Sequence, residues 1–440
     1  MKKYRVWHPL GTVSVGQEHL NIISGDRIYV QDSNGKTYID GLCGLWNMSL
    51  GYNNKKIINK ITEQLMEIPY VNLCEFTNST VQELANKLIY LLHRDIEKIY
   101  FTCTGSESNE LAIKIIRKYH ALKGNYGKKK IGVIASSYHG SYYGSLSASQ
   151  FESKNKSGYG PFLDDFITFD LPFCRCCKSG VLSSECLDVM IKNLKKQFEE
   201  EKDMLAGFII EPIIGSGGII PLPYEYLTVL SKLCTENDVI LVYDEVATGF
   251  GRTGKMFTFE KHKINPDIVC MSKGINSGYL PMGAVAINKK IYEVFKVSSE
   301  ALFHLSTQNG NPVCCAAALA TIEQLEEDDR ALVCYVEKMG EFLKSQLMES
   351  LMYHPNVYDI RGEGFMLAID LVESKFSNEI LQQNNLLAIV QMLKRNGLVT
   401  EACYNPGTTS SIIMFLAFII TQDEIKNVVN IIKKTLTRLT

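Results

Sequence analysis

Short apolar segments alternate with helix-forming segments through the middle of this 440-residue chain, and this alternation limits the fold more than any other feature. The apolar segments are rich in β-branched residues and end at Gly, Pro or charge, which is typical of buried strands in a parallel sheet. Helical segments such as Ser106–Leu122 and Tyr224–Glu236 separate them. The pattern predicts an α/β fold whose large sheet is mainly parallel. The predicted strands are Lys98–Cys103, Ile131–Ala135, Leu205–Glu211, Val239–Tyr243, Ile268–Met271 and Gly283–Ile287.

The length of the chain indicates more than one lobe. We predict a large domain over residues 55–320, and a small α+β domain built from residues 1–54 and 321–440. The first fifty residues have the turn-rich pattern of short antiparallel strands. After about residue 325 the pattern changes to strand–helix units that begin at Phe365–Asp370 and Ser411–Phe418.

Composition argues against several classes of partner. The net charge is −2, with 46% hydrophobic and 21% charged residues, so neither nucleic acid nor an anionic membrane is indicated. We find no apolar run of membrane-spanning length, and no apolar signal core follows the first lysines. A soluble cytoplasmic protein is therefore expected.

Thirteen cysteines raise the question of a metal site. Most lie in apolar or small-residue surroundings, and Cys174, Cys176, Cys177 and Cys186 are the exception. Their C-x-C-C run lacks the paired C-x-x-C spacing that is usual for zinc. A reduced surface loop is the expectation, with a structural metal as the alternative.

Two of the predicted strands end at residues that suit one cofactor. Val239–Tyr243 stops at Asp244, and Ile268–Met271 stops before Lys273. Ligands of parallel sheets bind outside the carboxyl ends of the strands. Pyridoxal phosphate needs a carboxylate beside its pyridinium nitrogen and a lysine for its aldehyde, and burial beside cations lowers the pKa of such a lysine. Asp244 and Lys273 are candidates for these two roles.

Two further segments meet other needs of this cofactor. Gly105 and Ser106 lie where a strand turns into a helix, and the N-terminus of a helix binds phosphate. Tyr138 follows the strand Ile131–Ala135 and could stack on the ring. Each residue taken alone is more simply an N-cap turn, a surface tyrosine or a solvated charge, so the prediction depends on their combination. The Gly249–Gly254 stretch is a literal G-x-G-x-x-G, but it is not in a tight strand-to-helix turn, so a nicotinamide site is disfavoured.

Taken together, the chain resembles the class III (ω-) aminotransferases of the fold-type I pyridoxal-phosphate enzymes. The resemblance covers nearly the whole length. It is carried by YIDGLCGLWNMSLGY, TGSESNELAIK, SYHGS, FIIEPIIGSGG, VYDEVATGFGRTG, PDIVCMSKGINSGYLPMGAV and STQNGNPVCCAAAL.

The resemblance implies a seven-stranded sheet and a set of cofactor-binding residues. Lys273 would form the Schiff base and, as the catalytic residue, move a proton between substrate and cofactor. Thr307 would reach the phosphate of a partner subunit, which implies a homodimer. Val246 would pack under the ring, and Glu211 would brace the hydrogen bonds near it. The full implied set is Gly105, Ser106, Tyr138, Glu211, Asp244, Val246, Lys273 and Thr307.

The implied activity is transamination between a small amine or amino-acid donor and a keto-acid, aldehyde or ketone acceptor, which could be a peptide or another natural-product carbonyl. Aminomutases, decarboxylases and racemases share this fold, as would a non-catalytic subunit, so these alternatives stay open.

The implied substrate pocket differs from that of many relatives. Leu45 and Trp46 match positions that line it in amine-type members, although Trp46 alone reads as core packing. Many relatives bind a substrate carboxylate through a C-terminal arginine. Here Glu401 stands at one such position and Ile413 lies near the other.

This difference leads to a hypothesis about the substrates. At least one of them lacks an α-carboxylate, or carries a cation that Glu401 meets. The alternative is that Glu401 faces solvent and Arg252 or Arg175 binds the carboxylate.

Overall fold

A mixed seven-stranded sheet lies at the centre of the protein, seen in a computed structural model that describes residues 5–9, 19–92, 95–151, 156–177, 182–376 and 379–437. The strands are β1 Ile22–Asp26, β2 Tyr29–Asp32, β3 Thr37–Asp40, β4 Ile96–Thr102, β5 Lys130–Ile134, β6 Phe166–Phe169, β7 Leu205–Ile210, β8 Ile213–Ile214, β9 Ile220–Pro221, β10 Ile240–Asp244, β11 Ile268–Met271, β12 Gly283–Asn288, β13 Val357–Glu363, β14 Met366–Leu371, β15 Leu398–Val399, β16 Glu401–Asn405 and β17 Thr409–Phe415.

Helices cover this sheet and pack on the smaller ones. Pro312–Leu351 is interrupted by non-helical backbone at residues 327–330, and Cys43–Trp46 is a turn with non-helical residues inside it. The helices are α1 Cys43–Trp46, α2 Lys55–Glu67, α3 Ser79–Leu92, α4 Gly105–Leu122, α5 Tyr143–Ala148, α6 Ser184–Glu201, α7 Tyr224–Glu236, α8 Thr258–His262, α9 Lys289–Ser298, α10 Pro312–Leu351, α11 Gln383–Arg395 and α12 Gln422–Leu436.

The large sheet has the strand order β4-β12-β11-β10-β7-β5-β6. All neighbouring pairs are parallel except those of β12, which is antiparallel to β11 and β4. The predicted α/β fold with a mainly parallel seven-stranded sheet is therefore confirmed. Strand β6 was not predicted, because its short sequence FITF is only partly buried and lacks a long apolar run.

The central strands are continuous apolar runs because both faces of the sheet are covered. All residues of β7, LAGFII, are buried, and so are all residues of β10 and β11. Parallel strands with helices on both faces have this composition, without polar alternation.

Two four-stranded sheets flank the large one. The first contains the predicted antiparallel strands β1, β2 and β3, and β15 adds to it in parallel with β3, so residues from near both ends of the chain share one sheet. The second is antiparallel, in the order β13-β14-β17-β16. The domain boundaries at residues 54 and 320 stay a prediction. Among the described residues, no helix combines the length and apolar character that crossing a membrane requires.

Candidate active site

Asp244 and Lys273 lie together at the carboxyl ends of two neighbouring strands. β10 runs parallel to β11 and pairs Asp244 with Cys270, so Lys273 follows only three residues later. Asp244 is the last residue of β10 rather than the residue after it. Lys273 starts a short 3₁₀ turn and has φ 36°, a left-handed conformation that is strained for a residue with a Cβ.

Two side chains hold the buried Asp244 carboxylate, which is only 4% exposed. Its Oδ2 accepts hydrogen bonds from Asn109 Nδ2 at 2.7 Å and from His139 Nδ1 at 2.8 Å. His139 must donate through Nδ1, because a carboxylate can only accept. Oδ1 accepts the Val246 N–H at 3.1 Å. These three hydrogen bonds fix the position of the Asp244 carboxylate at the end of β10.

Glu211 joins the segment that contains Tyr138 to the strand end of β7. Its Oε1 accepts the Tyr138 N–H at 2.8 Å, and its Oε2 accepts the Gly215 N–H at 3.0 Å. Burial raises the pKa of Glu211 to about 7, and the nearby Asp244 adds to this effect, while His139 and the two N–H groups oppose it. The Tyr138 side chain is 37% exposed, and its hydroxyl lies 2.8 Å from Ser141 Oγ.

Lys273 has the lowered pKa expected of an amine that must react in its neutral form. Burial lowers the pKa of Lys273, with Arg252 acting in the same direction, although the carboxylates of Asp244, Glu211 and Glu401 oppose the shift. Its Nζ lies 4.4 Å from the centroid of the Trp46 ring.

Trp46 forms a wall of the site and connects it to Glu401. Its ring stacks on Phe415, with centroids 4.3 Å apart and an interplanar angle of 10°. Its indole Nε1 donates to Glu401 Oε2 at 3.1 Å. Glu401 is partly buried at the start of β16, so it does not simply face solvent. Leu45 beside Trp46 is 63% exposed.

The turn before α4 presents backbone N–H groups at the start of a helix. The helix begins at Gly105, and its N-cap is Thr104, whose Oγ1 accepts the Glu107 N–H at 3.1 Å. A Cβ on Gly105 would lie 2.7 Å from Val246 Cγ1, so glycine is required there. The first N–H groups of a helix have no acceptor inside it, so those of Gly105 and Ser106 can bind an anion.

Thr307 lies on an exposed segment that is anchored to the same turn. Ser306 Oγ donates to Glu107 Oε1 at 2.7 Å, and His304 Nε2 lies 3.1 Å from that oxygen. Tyr70 OH donates to the Thr307 carbonyl at 2.5 Å. Burial acts to raise the pKa of Glu107. The hydrogen bonds that its carboxylate accepts from His304, Ser306 and the Cys103 N–H outweigh this effect and hold the pKa below its usual value.

These residues fit pyridoxal phosphate. Asp244 Oδ1 is an acceptor at the strand end for a pyridinium N–H, the turn at Gly105 packs closely on Val246, and the buried Lys273 has a lowered pKa. The Gly249–Gly254 stretch forms turns and is followed only by the short helix Thr258–His262, so it is not a strand-to-helix dinucleotide turn.

Sequence reasoning missed the residues that support the site from behind. Asn109 and His139 hold Asp244, and Glu107 anchors the segment before Thr307. A signal existed for two of them: His139 directly follows Tyr138, and Asn109 lies one helical turn after Gly105. Neither position indicates that both side chains point at one carboxylate.

Comparison with known proteins agrees with this geometry. Residues 12–436 match the family model for class III aminotransferases. The chain is 34% identical to the adenosylmethionine-8-amino-7-oxononanoate aminotransferase of Staphylococcus aureus over 98% of this chain and 95% of the relative. It is 34% identical to the taurine–pyruvate aminotransferase of Bilophila wadsworthia over 90% and 87%. The ω-transaminase of Pseudomonas jessenii in complex with PMP superposes with a TM-score of 0.92, at 30% identity over 98% and 96%.

The chain therefore belongs to the class III aminotransferases, which depend on pyridoxal phosphate. It is a transaminase that moves an amino group between a small-molecule amine donor and a keto acceptor. The comparisons give no support to an aminomutase, a decarboxylase or a non-catalytic subunit.

Proposed function

We propose that this transaminase takes at least one substrate that has no α-carboxylate, or that carries a cation, and that Glu401 selects it. The observation that carries the proposal is the hydrogen bond from the Trp46 indole to Glu401, which holds a carboxylate beside Lys273. An anion at this position repels a substrate carboxylate and attracts an ammonium group.

The arginines that could replace Glu401 as carboxylate binders already have partners. Arg252 is 1% exposed, and its Nη1 donates to the carbonyls of Phe365 and Leu416. Arg175 Nη1 donates to Asp370 and to the Thr408 carbonyl.

The position of Arg175 argues in the same direction. Thr408 lies in the turn beyond the far end of β16, and the five residues of that strand span roughly 13 Å from Glu401. This distance argues against Arg175 as the carboxylate binder, while the burial of Arg252 and its carbonyl partners argue against Arg252.

The names of the relatives are compatible with such substrates. One is named for taurine, an amine whose acid group is a sulfonate, and another for a keto compound whose carboxylate is remote from the reacting carbonyl. Neither name fixes the substrate of this chain.

The proposed roles of the site residues follow from their contacts. When bound, pyridoxal phosphate supplies an electron sink that acidifies the C–H bond next to the substrate amine. Lys273 would hold the cofactor through its amine and would move the proton at that carbon as general base and acid. Asp244 pairs with the pyridinium nitrogen, while Gly105 and Ser106 bind the phosphate through their N–H groups. Trp46 excludes water on the substrate side.

The remaining cofactor residues have packing and bracing roles in this proposal. Val246 packs under the ring and Tyr138 stacks over it, next to the segment that Glu211 holds. Leu45 lines the entrance to the substrate pocket, as its exposure beside Trp46 allows.

A homodimer is part of the proposal, because Thr307 is exposed on its own chain and would serve the phosphate of a partner subunit. Phe303 and Leu305 on the same segment are 95% and 67% exposed, and exposed apolar side chains of this kind mark interfaces.

A cytoplasmic location is also proposed: all thirteen cysteines lie in described residues and are free thiols, as in reducing compartments.

Replacing Glu401 tests the substrate proposal. Initial rates are measured for wild type, Glu401→Gln and Glu401→Arg, with diamines, plain amines and α-amino acids as donors and with aldehydes, pyruvate and 2-oxoglutarate as acceptors. A charged hydrogen bond contributes about 1.5–3 kcal/mol, so Glu401→Arg should raise kcat/KM for keto acids relative to aldehydes by roughly 10- to 150-fold.

The matched control is Glu349→Arg, which makes the same charge change at an exposed glutamate. It should leave substrate preference as in wild type. Unchanged acceptor preference in a Glu401→Arg enzyme that retains bound cofactor would show that the role given to Glu401 is wrong.

A further inference from the structure

Three cysteine thiols meet beside the N-terminus of α6. The Sγ atoms of Cys174, Cys177 and Cys186 lie within 4.8 Å of one another, and those of Cys174 and Cys186 are 3.5 Å apart. In a tetrahedral zinc site with bonds of about 2.3 Å, ligand sulfurs are roughly 3.8 Å apart. The three thiols thus have the separation expected for ligands of one ion.

The local backbone arranges two of these ligands in a way the sequence pattern concealed. Within the C-x-C-C run, Cys174 and Cys177 have C-x-x-C spacing, and a turn closed by Cys177 N and the Cys174 carbonyl at 3.1 Å directs them together. Cys176 lies between them and is exposed outside the cluster. The C-x-C-C run therefore contains one C-x-x-C pair, although it lacks a second one.

The first turn of helix α6 holds the third cysteine next to this pair. Its N-cap is Ser183, and Cys186 lies in the first turn, where its N–H donates to Ser183 Oγ at 3.3 Å. The Ser183 N–H donates to Cys177 Sγ at 3.3 Å. These two hydrogen bonds fix the loop that carries Cys177 against the first turn of the helix that carries Cys186.

We propose that Cys174, Cys177 and Cys186 bind one Zn²⁺ ion, with solvent as the fourth ligand. A set of three sulfurs selects soft or borderline ions such as Zn²⁺ and disfavours Mg²⁺ and Ca²⁺. The ion has a structural role, since it joins the loop before α6 to that helix.

The neighbouring Arg175 connects the same loop to the four-stranded sheet β13-β14-β17-β16. Its Nη1 donates to Asp370 at 3.1 Å and to the Thr408 carbonyl at 2.6 Å, which ties the cysteine loop to β14 and to the β16–β17 turn. Its carbonyl also accepts a hydrogen bond from Tyr358 OH. Loss of the ion should therefore loosen the hairpin that carries Glu401 without removing any residue of the site.

The test measures zinc in the full holoenzyme purified without chelator. About one zinc per chain is expected in wild type, and Co²⁺ exchange should give visible d–d bands at longer wavelengths than the absorption of pyridoxal phosphate. Cys177→Ser and Cys186→Ser should lose zinc affinity by at least roughly tenfold. Cys176→Ser is the matched control and should keep wild-type zinc and the same Co²⁺ bands.

Four results would overturn the proposal. The first is wild-type protein without zinc and without Co²⁺ bands after incubation with either ion; this measurement stands even if a serine variant does not fold. The second is a Cys174–Cys186 disulfide in freshly purified protein, seen as two fewer titratable thiols and no metal. The third is loss of zinc in Cys176→Ser to the same extent as in Cys186→Ser. The fourth is wild-type zinc affinity in a folded Cys186→Ser protein.

Discussion

Replacing His139 by Phe should weaken cofactor binding although His139 is not expected to touch the cofactor. The ring stays similar in shape, but Asp244 Oδ2 loses the 2.8 Å hydrogen bond from Nδ1 and keeps only that from Asn109. Because Asp244 is 4% exposed, water cannot easily replace the lost donor. The carboxylate becomes a poorer partner for a pyridinium nitrogen.

The size of the effect follows from the charge of the acceptor. A hydrogen bond to a charged group contributes about 1.5–3 kcal/mol, so the dissociation constant of pyridoxal phosphate should rise by roughly 10- to 150-fold in His139→Phe. The assay is a titration of apoenzyme with pyridoxal phosphate followed by visible absorbance. His139→Asn keeps a donor near the Nδ1 position and should recover most of the affinity.

The matched control is His120→Phe, at another buried histidine of comparable surroundings. His120 lies in the last turn of α4, roughly 16 Å along the helix from Asn109. Its Nε2 forms a hydrogen bond with the Ala206 carbonyl at 2.8 Å. This variant should lose stability, measured by Tm, but not cofactor affinity. Wild-type affinity in His139→Phe, or equal losses in both variants, would refute the reasoning.

Two other predictions concern the lysine and the assembly. Since burial lowers the pKa of Lys273, its neutral amine should form at lower pH than in free lysine, so the rate of cofactor attachment to apoenzyme should rise with a midpoint below 10.5; a midpoint at or above that value would contradict the shift. Light scattering should give twice the mass of one 49.5 kDa chain. Phe303→Asp should move the protein towards monomer and weaken cofactor binding, because Thr307 would lose its partner, whereas Phe376→Asp at an equally exposed phenylalanine should not. If a monomeric Phe303→Asp protein bound pyridoxal phosphate as tightly as wild type, the cofactor-binding role given to Thr307 would be wrong.

The predictability of the fold came from local patterns. The six predicted central strands all form, and Ile268–Met271 and Tyr224–Glu236 have the predicted bounds. Apolar runs and helical periodicity are visible in short windows, so they can be read without knowing the fold. Strand β6 was not predicted because it is short and only partly buried.

For the substrate pocket, the sequence identified a residue but not its contacts. The sequence gives Glu401 in place of an arginine, but the contact of its carboxylate with Trp46 joins residues 355 positions apart. The zinc proposal has the same origin, since Cys176 and Cys177 look equivalent in sequence and only the turn at Cys174 separates them.

What the sequence alone determined was the edge of the sheet at which chemistry would occur. Parallel strands all present their carboxyl ends at one edge, so Asp244 and Lys273 had to lie on the same edge once their segments were parallel strands. The pairing of β10 with β11 then makes them neighbours. Only the tertiary structure decided what surrounds them: Asn109 and His139 behind the carboxylate, and Trp46 with its bond to Glu401 in front of the lysine. The reason is physical. Strand formation depends on neighbouring residues, whereas these contacts depend on how distant elements pack and on which buried polar groups satisfy one another.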